Sequence, residues 1–232
     1  MATIRIAAAQ MDVKLADREG NLARMLAKLE TAAVQGAELV VFPECALPGY
    51  CFESLEEARP YAETVPGPAT NAFAAACKKL NVHAVFGMLE ADGARVFNTC
   101  VLVGSGGVVG TYRKVHLPFL GIDRFTTPGD RPFAVQEIPV GNQTLRVGMN
   151  ICYDGSFPEA ARVMTLQGAD LIVLDSHPTP QGVCCKCSAK LPACCVESSA
   201  CQKSICRESR SSIRPEAAGG WLSRRTHRDD RP

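Results

Sequence analysis

Three residues of this chain stand at the ends of strand-forming runs: Glu44 just beyond "LVVF" and Pro43, Lys114 after "GTYR" and Cys152 after "VGMNI". A carboxylate, an ammonium and a thiol brought to one rim would make a nucleophilic centre. A thiol attacks carbonyl carbon well only when a base or a cation raises its thiolate fraction. Cys152 is followed by Tyr-Asp-Gly, and Asp154-Gly155 reads as a sharp turn that presents the thiol at a sheet edge, ringed by the next backbone N–H groups. That is the logic of a nucleophile elbow, although the Gly-x-Ser-x-Gly pattern is absent. Glu44 lies in "FPECALPGY", approached through Pro43 and left through Pro48-Gly49; burial at the end of so apolar a strand would make it a usable general base. Lys114, in "TYRKVHLP", offers a cation for thiolate and oxyanion charge. Each residue also has an ordinary reading: a buried structural cysteine, a solvent-facing loop Glu, and an exposed Lys paired with Arg113.

Histidine is the usual partner of a catalytic cysteine, and none of the four supplies one convincingly. His83 opens a strand, and His116 in "RKVHLP" has no obvious carboxylate partner. His177 and His227 belong to the edge and the interior of a compositionally different tail.

The elements that must position these residues alternate strand and helix. A strand is expected over 3–9, then a helix capped by Asn21, whose apolar residues Leu22, Met25, Leu26, Leu29 and Ala33 follow the helical period, with Gly36 ending it. An all-apolar strand follows at 38–44, of the kind buried on both faces. The scheme repeats as a helix over 69–80 and a strand over 82–89. "ARVFNTCVLVG" and "GVVGTYRKVHL" form a hairpin around Ser105-Gly106-Gly107. "TLRVGMNIC" is a strand, "FPEAARVMTLQGA" a helix and "DLIVL" a strand. The echo between "QGAELVVF" and "QGADLIVL" suggests two related halves, each with a helix feeding a central strand, and hence an α/β sandwich of layers.

Composition sets the class. The 232 residues are 47% hydrophobic and 21% charged, as in soluble globular enzymes, with a net charge of +1 that argues against nucleic-acid binding. No apolar run is long enough for a bilayer, and the N-terminus lacks the pattern of a signal peptide, so a cytoplasmic protein is expected. The average conceals a break. Residues 1–175 carry 15 basic and 19 acidic side chains, whereas residues 176–232 carry 10 and 5. Seven of the 12 cysteines crowd between Cys184 and Cys206.

In order along the chain, "VVFPECALPGY", "YRKVHLPFLGIDRFTTPGD" and "VGMNICYDGSFPEAAR" make residues 3–174 resemble the nitrilase superfamily of carbon–nitrogen hydrolases, in its amidase-like branch. The resemblance implies an α-β-β-α sandwich, a homodimer or higher homo-oligomer, and no metal or organic cofactor. It also implies a small-molecule amide or carbamoyl substrate, with neither nucleic acid nor membrane as partner. By position it makes Glu44 the general base, Lys114 the oxyanion-stabilising cation and Cys152 the nucleophile. The second carboxylate found in many members falls at Asp123, a methylene shorter than the usual Glu. Tyr50, Phe119, Tyr153 and Phe157 are candidate substrate-binding walls, and equally ordinary core or rim aromatics.

The resemblance stops after "DLIVL". Residues 176–232 form a Cys/Ser/Arg-rich tail whose composition cannot bury a core and is expected to be disordered; an out-of-frame or misassembled coding segment would read this way. The rival reading is a zinc module on Cys184, Cys187, Cys194 and Cys195, disfavoured because the second pair is adjacent rather than spaced. Replacement of the family's last strands would leave the "DLIVL" edge unpaired and prone to aggregation, and would make a catalytically impaired interaction protein the alternative to an enzyme.

Overall fold

A computed structural model describes residues 4–176 and 222–224. Strand β1 (Ile4–Ala8) leads into helix α1 (Arg18–Val34) and strand β2 (Leu39–Val41); a short helix α2 (Leu55–Ala58) precedes α3 (Pro68–Leu80). Strands β3 (His83–Asp92), β4 (Arg95–Gly104) and β5 (Gly107–Arg113) form a meander. Then come β6 (Val135–Val140), β7 (Gln143–Ile151), α4 (Pro158–Leu166), β8 (Leu171–Asp175) and a short β9 (Leu222–Arg224).

Two sheets result. The first runs β5-β4-β3-β2-β1-β9, and the second β6-β7-β8. Strands β1, β2 and β3 are mutually parallel, β3–β4–β5 antiparallel, and β9 adds antiparallel to β1. In the second sheet β7 pairs antiparallel with β6 and parallel with β8.

Side-chain alternation explains why β3 and β4 read as continuous apolar runs: both faces are covered. Ala84, Phe86, Val101 and Val103 pack against Met25, Leu29, Phe73 and Cys77 of α1 and α3. Phe73 stacks on Phe86 at 4.3 Å and meets Phe42 edge-on at 5.6 Å. Val85, Cys100 and Leu102 point the other way, into Val147, Met149, Ile151 and Val173 of the second sheet. Helix α4 closes that sheet through buried Ala160 and Met164, approaching β7 where Gly148 has no side chain. The order helix, sheet, sheet, helix is the expected α-β-β-α sandwich.

Two local features differ from the sequence expectation. The cap of α1 is Asp17, whose carboxylate accepts from Gly20 N at 3.1 Å and is held by Arg24. Asn21 lies inside the helix, fully buried, donating to the carbonyls of Lys14 and Leu47. It ties α1 to the turn that follows Glu44. Strand β6 was not evident because Pro139 interrupts its pattern, which an edge strand tolerates. The candidate zinc cysteines, His177 and His227 lie outside the described residues, as does most of the tail. Among the described residues β8 pairs only with β7, leaving its other edge open, and no helix is long and apolar enough to cross a membrane.

Candidate active site

Glu44, Lys114 and Cys152 each follow the last residue of a strand or lie in the turn beyond it, so the layered fold brings polar groups to one rim of an apolar core. Lys114 directly follows β5. Its backbone N–H donates to Asn98 of β4, and its carbonyl accepts from Gly129, both at 2.8 Å. The side chain is completely buried, and its ammonium donates to Glu44 Oε1 at 2.6 Å and to Asp123 Oδ2 at 2.5 Å. Burial works against that charge, but Glu44, Asp123 and then Cys152 more than offset it, so Lys114 holds its proton more tightly than an ordinary lysine. Cys152 therefore belongs to the electrostatic surroundings of Lys114.

Asn98 completes the cluster. Its amide donates at 2.8 Å to both Glu44 Oε1 and Asp123 Oδ1, and the Cys45 thiol donates weakly to its oxygen at 3.6 Å. Asp123 lies on a 3₁₀ turn, Gly121–Arg124. Burial first and the charge of Glu44 next raise its pKa, against the opposing pull of Lys114. The Tyr50 hydroxyl reaches Asp123 Oδ2 and the Leu120 carbonyl, each at 3.0 Å. Its ring lies 5.8 Å from the Lys114 ammonium. Tyr50 thus supports the charged cluster. Two glycines permit these approaches. A Cβ on Gly87 would lie 2.3 Å from Cys45 N and 2.7 Å from Glu44 Cα, and one on Gly121, at φ +48°, would strike the Tyr50 ring.

Cys152 opens a 3₁₀ turn, Cys152–Ser156, with φ at 45° and 9% exposure. A left-handed non-glycine residue is costly and tends to mark a functional site. The sequence placed the turn at Asp154-Gly155, whereas the backbone places its left-handed residue at the cysteine itself. Asp154, fully buried, points back into the structure. It accepts from Ile151 N (3.1 Å), Tyr112 OH (2.8 Å) and His116 N (2.9 Å), and it faces His116 Nδ1 at 2.7 Å. His116 therefore has a carboxylate partner, contrary to the sequence reading, because Asp154 is 38 residues away along the chain. The His116 ring stacks on Phe157 at 3.7 Å, and Phe157 meets Tyr153 edge-on at 5.3 Å. Phe119 is 82% exposed and touches none of these groups through a ring contact among the described residues.

Asp175 is a further buried group that sequence reasoning missed. It ends β8, in register with Ile151, and is only 2% exposed. It lies beside the Cys100 thiol, yet neither carboxylate oxygen accepts a hydrogen bond of ordinary geometry among the described residues. Burial first, then the charge of Glu44, push its pKa well above the usual carboxylate range. Among the described residues no cluster of three or more His, Cys, Asp and Glu side chains is arranged to hold a metal ion.

A family model described as carbon–nitrogen hydrolase matches residues 5–185. The chain belongs to the carbon–nitrogen hydrolase family. Over 176 residues this family member is 36% identical to a nitrilase of Pyrococcus abyssi (strain GE5 / Orsay), covering 75% of its own length and 64% of that protein. It is 34% identical over 183 residues to the omega-amidase NIT2 of Danio rerio, covering 75% and 63%. A carbon–nitrogen hydrolase structure from Helicobacter pylori G27 superposes with a TM-score of 0.66 at 26% identity, over 75% of this chain and 60% of that one. The chain thus spans slightly under two thirds of the length of these curated relatives.

Proposed function

We propose that this carbon–nitrogen hydrolase chain cleaves a non-peptide C–N bond of a small amide or carbamoyl compound through a thioester on Cys152, releasing ammonia or an amine. The observation that carries the reading is the buried Lys114 ammonium, held between Glu44 and Asp123 at 2.6 and 2.5 Å in surroundings that include Cys152. In this reading the cluster supplies a carboxylate base and a cation to the thiol, a combination that neither a structural cysteine nor a surface ion pair would need.

In this reading Cys152 Sγ attacks the carbonyl carbon while Glu44 takes the thiol proton. Charge gathers on the carbonyl oxygen, where the Lys114 ammonium and the Tyr153 backbone N–H receive it. Collapse of the tetrahedral species breaks the C–N bond, and Glu44 returns the proton to the departing nitrogen. Water then gives a proton to Glu44 and adds to the thioester, and Cys152 leaves with that proton. Asp123 and Asn98 fix Lys114 and Glu44 throughout. Positioned acid–base transfer contributes roughly 10²–10⁴-fold, and one oxyanion donor on the order of 10²–10³-fold. The three groups must therefore act together. The proposal extends to residues 1–175 as the hydrolase unit, and to a cytoplasmic homodimer or higher homo-oligomer, which sedimentation of the purified chain tests.

Turnover of a panel of small amides and carbamoyl compounds, followed by ammonia release, tests the chemistry. The parent chain should act on at least one of them. Cys152→Ala should reduce turnover to background with a melting temperature close to the parent's, and Glu44→Gln should also reduce turnover to background while lowering stability, because it takes one carboxylate from the buried Lys114 ammonium. Substantial hydrolysis by the Cys152→Ala protein would rule the assignment out.

A further inference from the structure

Lys114 and Cys152 follow strands of different sheets, so something must fix one against the other. We propose that Asp154 is a positioning residue that joins the segment carrying Lys114 to the turn carrying Cys152, an inference that rests on the proposed roles of those two residues. A carboxylate offers about four lone-pair sites, and among the described residues the four donors facing Asp154 all come from these two segments. Tyr112 OH and Ile151 N reach Oδ2 at 2.8 and 3.1 Å, and His116 N and Nδ1 reach Oδ1 at 2.9 and 2.7 Å. Tyr112 and His116 flank Lys114 two residues to either side, and Ile151 immediately precedes Cys152.

The donors are themselves held. Tyr112 is 5% exposed, and its ring stacks on Phe133 at 5.6 Å. Burial, followed by the charge of Asp154, pushes its phenol well above the ordinary range, so it remains a donor. His116 lies flat on Phe157, with ring planes 9° apart, and Phe157 in turn abuts Tyr153, the residue after the nucleophile. In this orientation Nδ1 carries the proton that faces Asp154, a tautomer assigned from the geometry. Asp154 is fully buried with both oxygens occupied. A shift of either segment would therefore break a charge-assisted hydrogen bond inside the protein, which is costly there. The left-handed backbone of Cys152 is kept in place by the same bonds.

The test separates this role from a simple effect of charge. Removing a negative charge near a thiol favours the thiolate, so electrostatics alone predicts faster alkylation of Cys152 in an Asp154→Asn protein. Positioning predicts the reverse, because Lys114 and the turn lose their mutual register. The full-length chain is treated with iodoacetamide from pH 6 to pH 9, and modification of the Cys152 peptide is followed by mass spectrometry. Asp154→Asn should slow the reaction at pH 7 by roughly tenfold and move its pH profile upward by about one unit, the shift that matches such a change in thiolate fraction. Tyr112→Phe keeps the ring and the Asp154 charge while removing one bond. It guards against misfolding of the first variant and should slow the reaction in the same direction by a smaller factor. A reactive Cys152 that neither variant affects, or that Asp154→Asn accelerates, overturns the positioning role and leaves the proposed chemistry standing. A parent Cys152 no more reactive than Cys51 removes both.

Discussion

Replacing Lys114 by Met removes the ammonium that two buried carboxylates share while keeping most of the side chain's volume. Lys114 is 0% exposed, and Glu44 and Asp123 are 1% and 3% exposed, so water cannot take over its role without opening the fold. Breaking a buried ion pair from one side costs about 3–5 kcal/mol, a large part of a typical net stability of about 5–15 kcal/mol. A surface pair would be worth only about 0–1 kcal/mol. The pH dependence follows from Asp123. Burial and Glu44 already raise its pKa, and Lys114 is the partner that opposes them. Without Lys114 the folded protein retains a proton on Asp123 that the unfolded chain releases above about pH 4. Stability then falls as pH rises from the unfolded value through the folded one. The deficit of Lys114→Met should thus be smallest near pH 5 and largest near pH 8. Urea unfolding at both pH values, with a common slope, measures it. A loss below about 1 kcal/mol, or a deficit that shrinks as pH rises, would refute the buried-cluster argument.

Gly87→Ala should destabilise the protein by about 1–3 kcal/mol or more through overpacking, because its new Cβ would meet the backbone of Glu44 and Cys45. It should lower turnover as well, since Glu44 is displaced; thermal melts and initial rates check both, and an unaffected rate would contradict the close approach. Asp175→Asn removes a buried carboxyl whose pKa burial, and then the charge of Glu44, raises well above the usual carboxylate range. The parent loses stability from this group as pH climbs above the unfolded value of about 4. The variant should therefore match the parent near pH 4 and exceed it increasingly toward pH 8. Identical pH slopes in the two proteins would show that Asp175 does not titrate as described.

Glu44 and Cys152 were legible as candidates because a strand-forming run that ends in a polar residue marks a strand tip, and Lys114 because its motif falls in order between theirs. The flanking architecture was legible for the same reason: periodicity changes between helix and strand are local signals. What closes the site is not local. Asn98 sits in a strand buried on both faces, so its surroundings give no hint that its amide bridges two carboxylates from distant loops. Asp154 reads as a turn residue, and only the packing of the two sheets reveals that it receives Tyr112 and His116. The turn around Asp154-Gly155 was legible because Asp-Gly is a strong turn signal, whereas the left-handed backbone of Cys152, which opens that turn, has no signal in the sequence. Asn21 misled in a related way. An Asn beside an apolar periodic run looks like a cap, but Asp17, paired with Arg24, starts the helix a turn earlier.

The central claim is that Cys152 becomes acylated while Glu44 and Lys114 serve it. Rapid acid quench of the full-length chain with a turned-over amide, followed by intact-mass measurement and peptide mapping, tests this directly. The account predicts a mass increase equal to the acyl group, located on the Cys152 peptide, absent from Cys152→Ala and strongly diminished in Lys114→Met. An acyl group on another cysteine, or turnover with no adduct at any quench time while Cys152→Ala remains active, would contradict it.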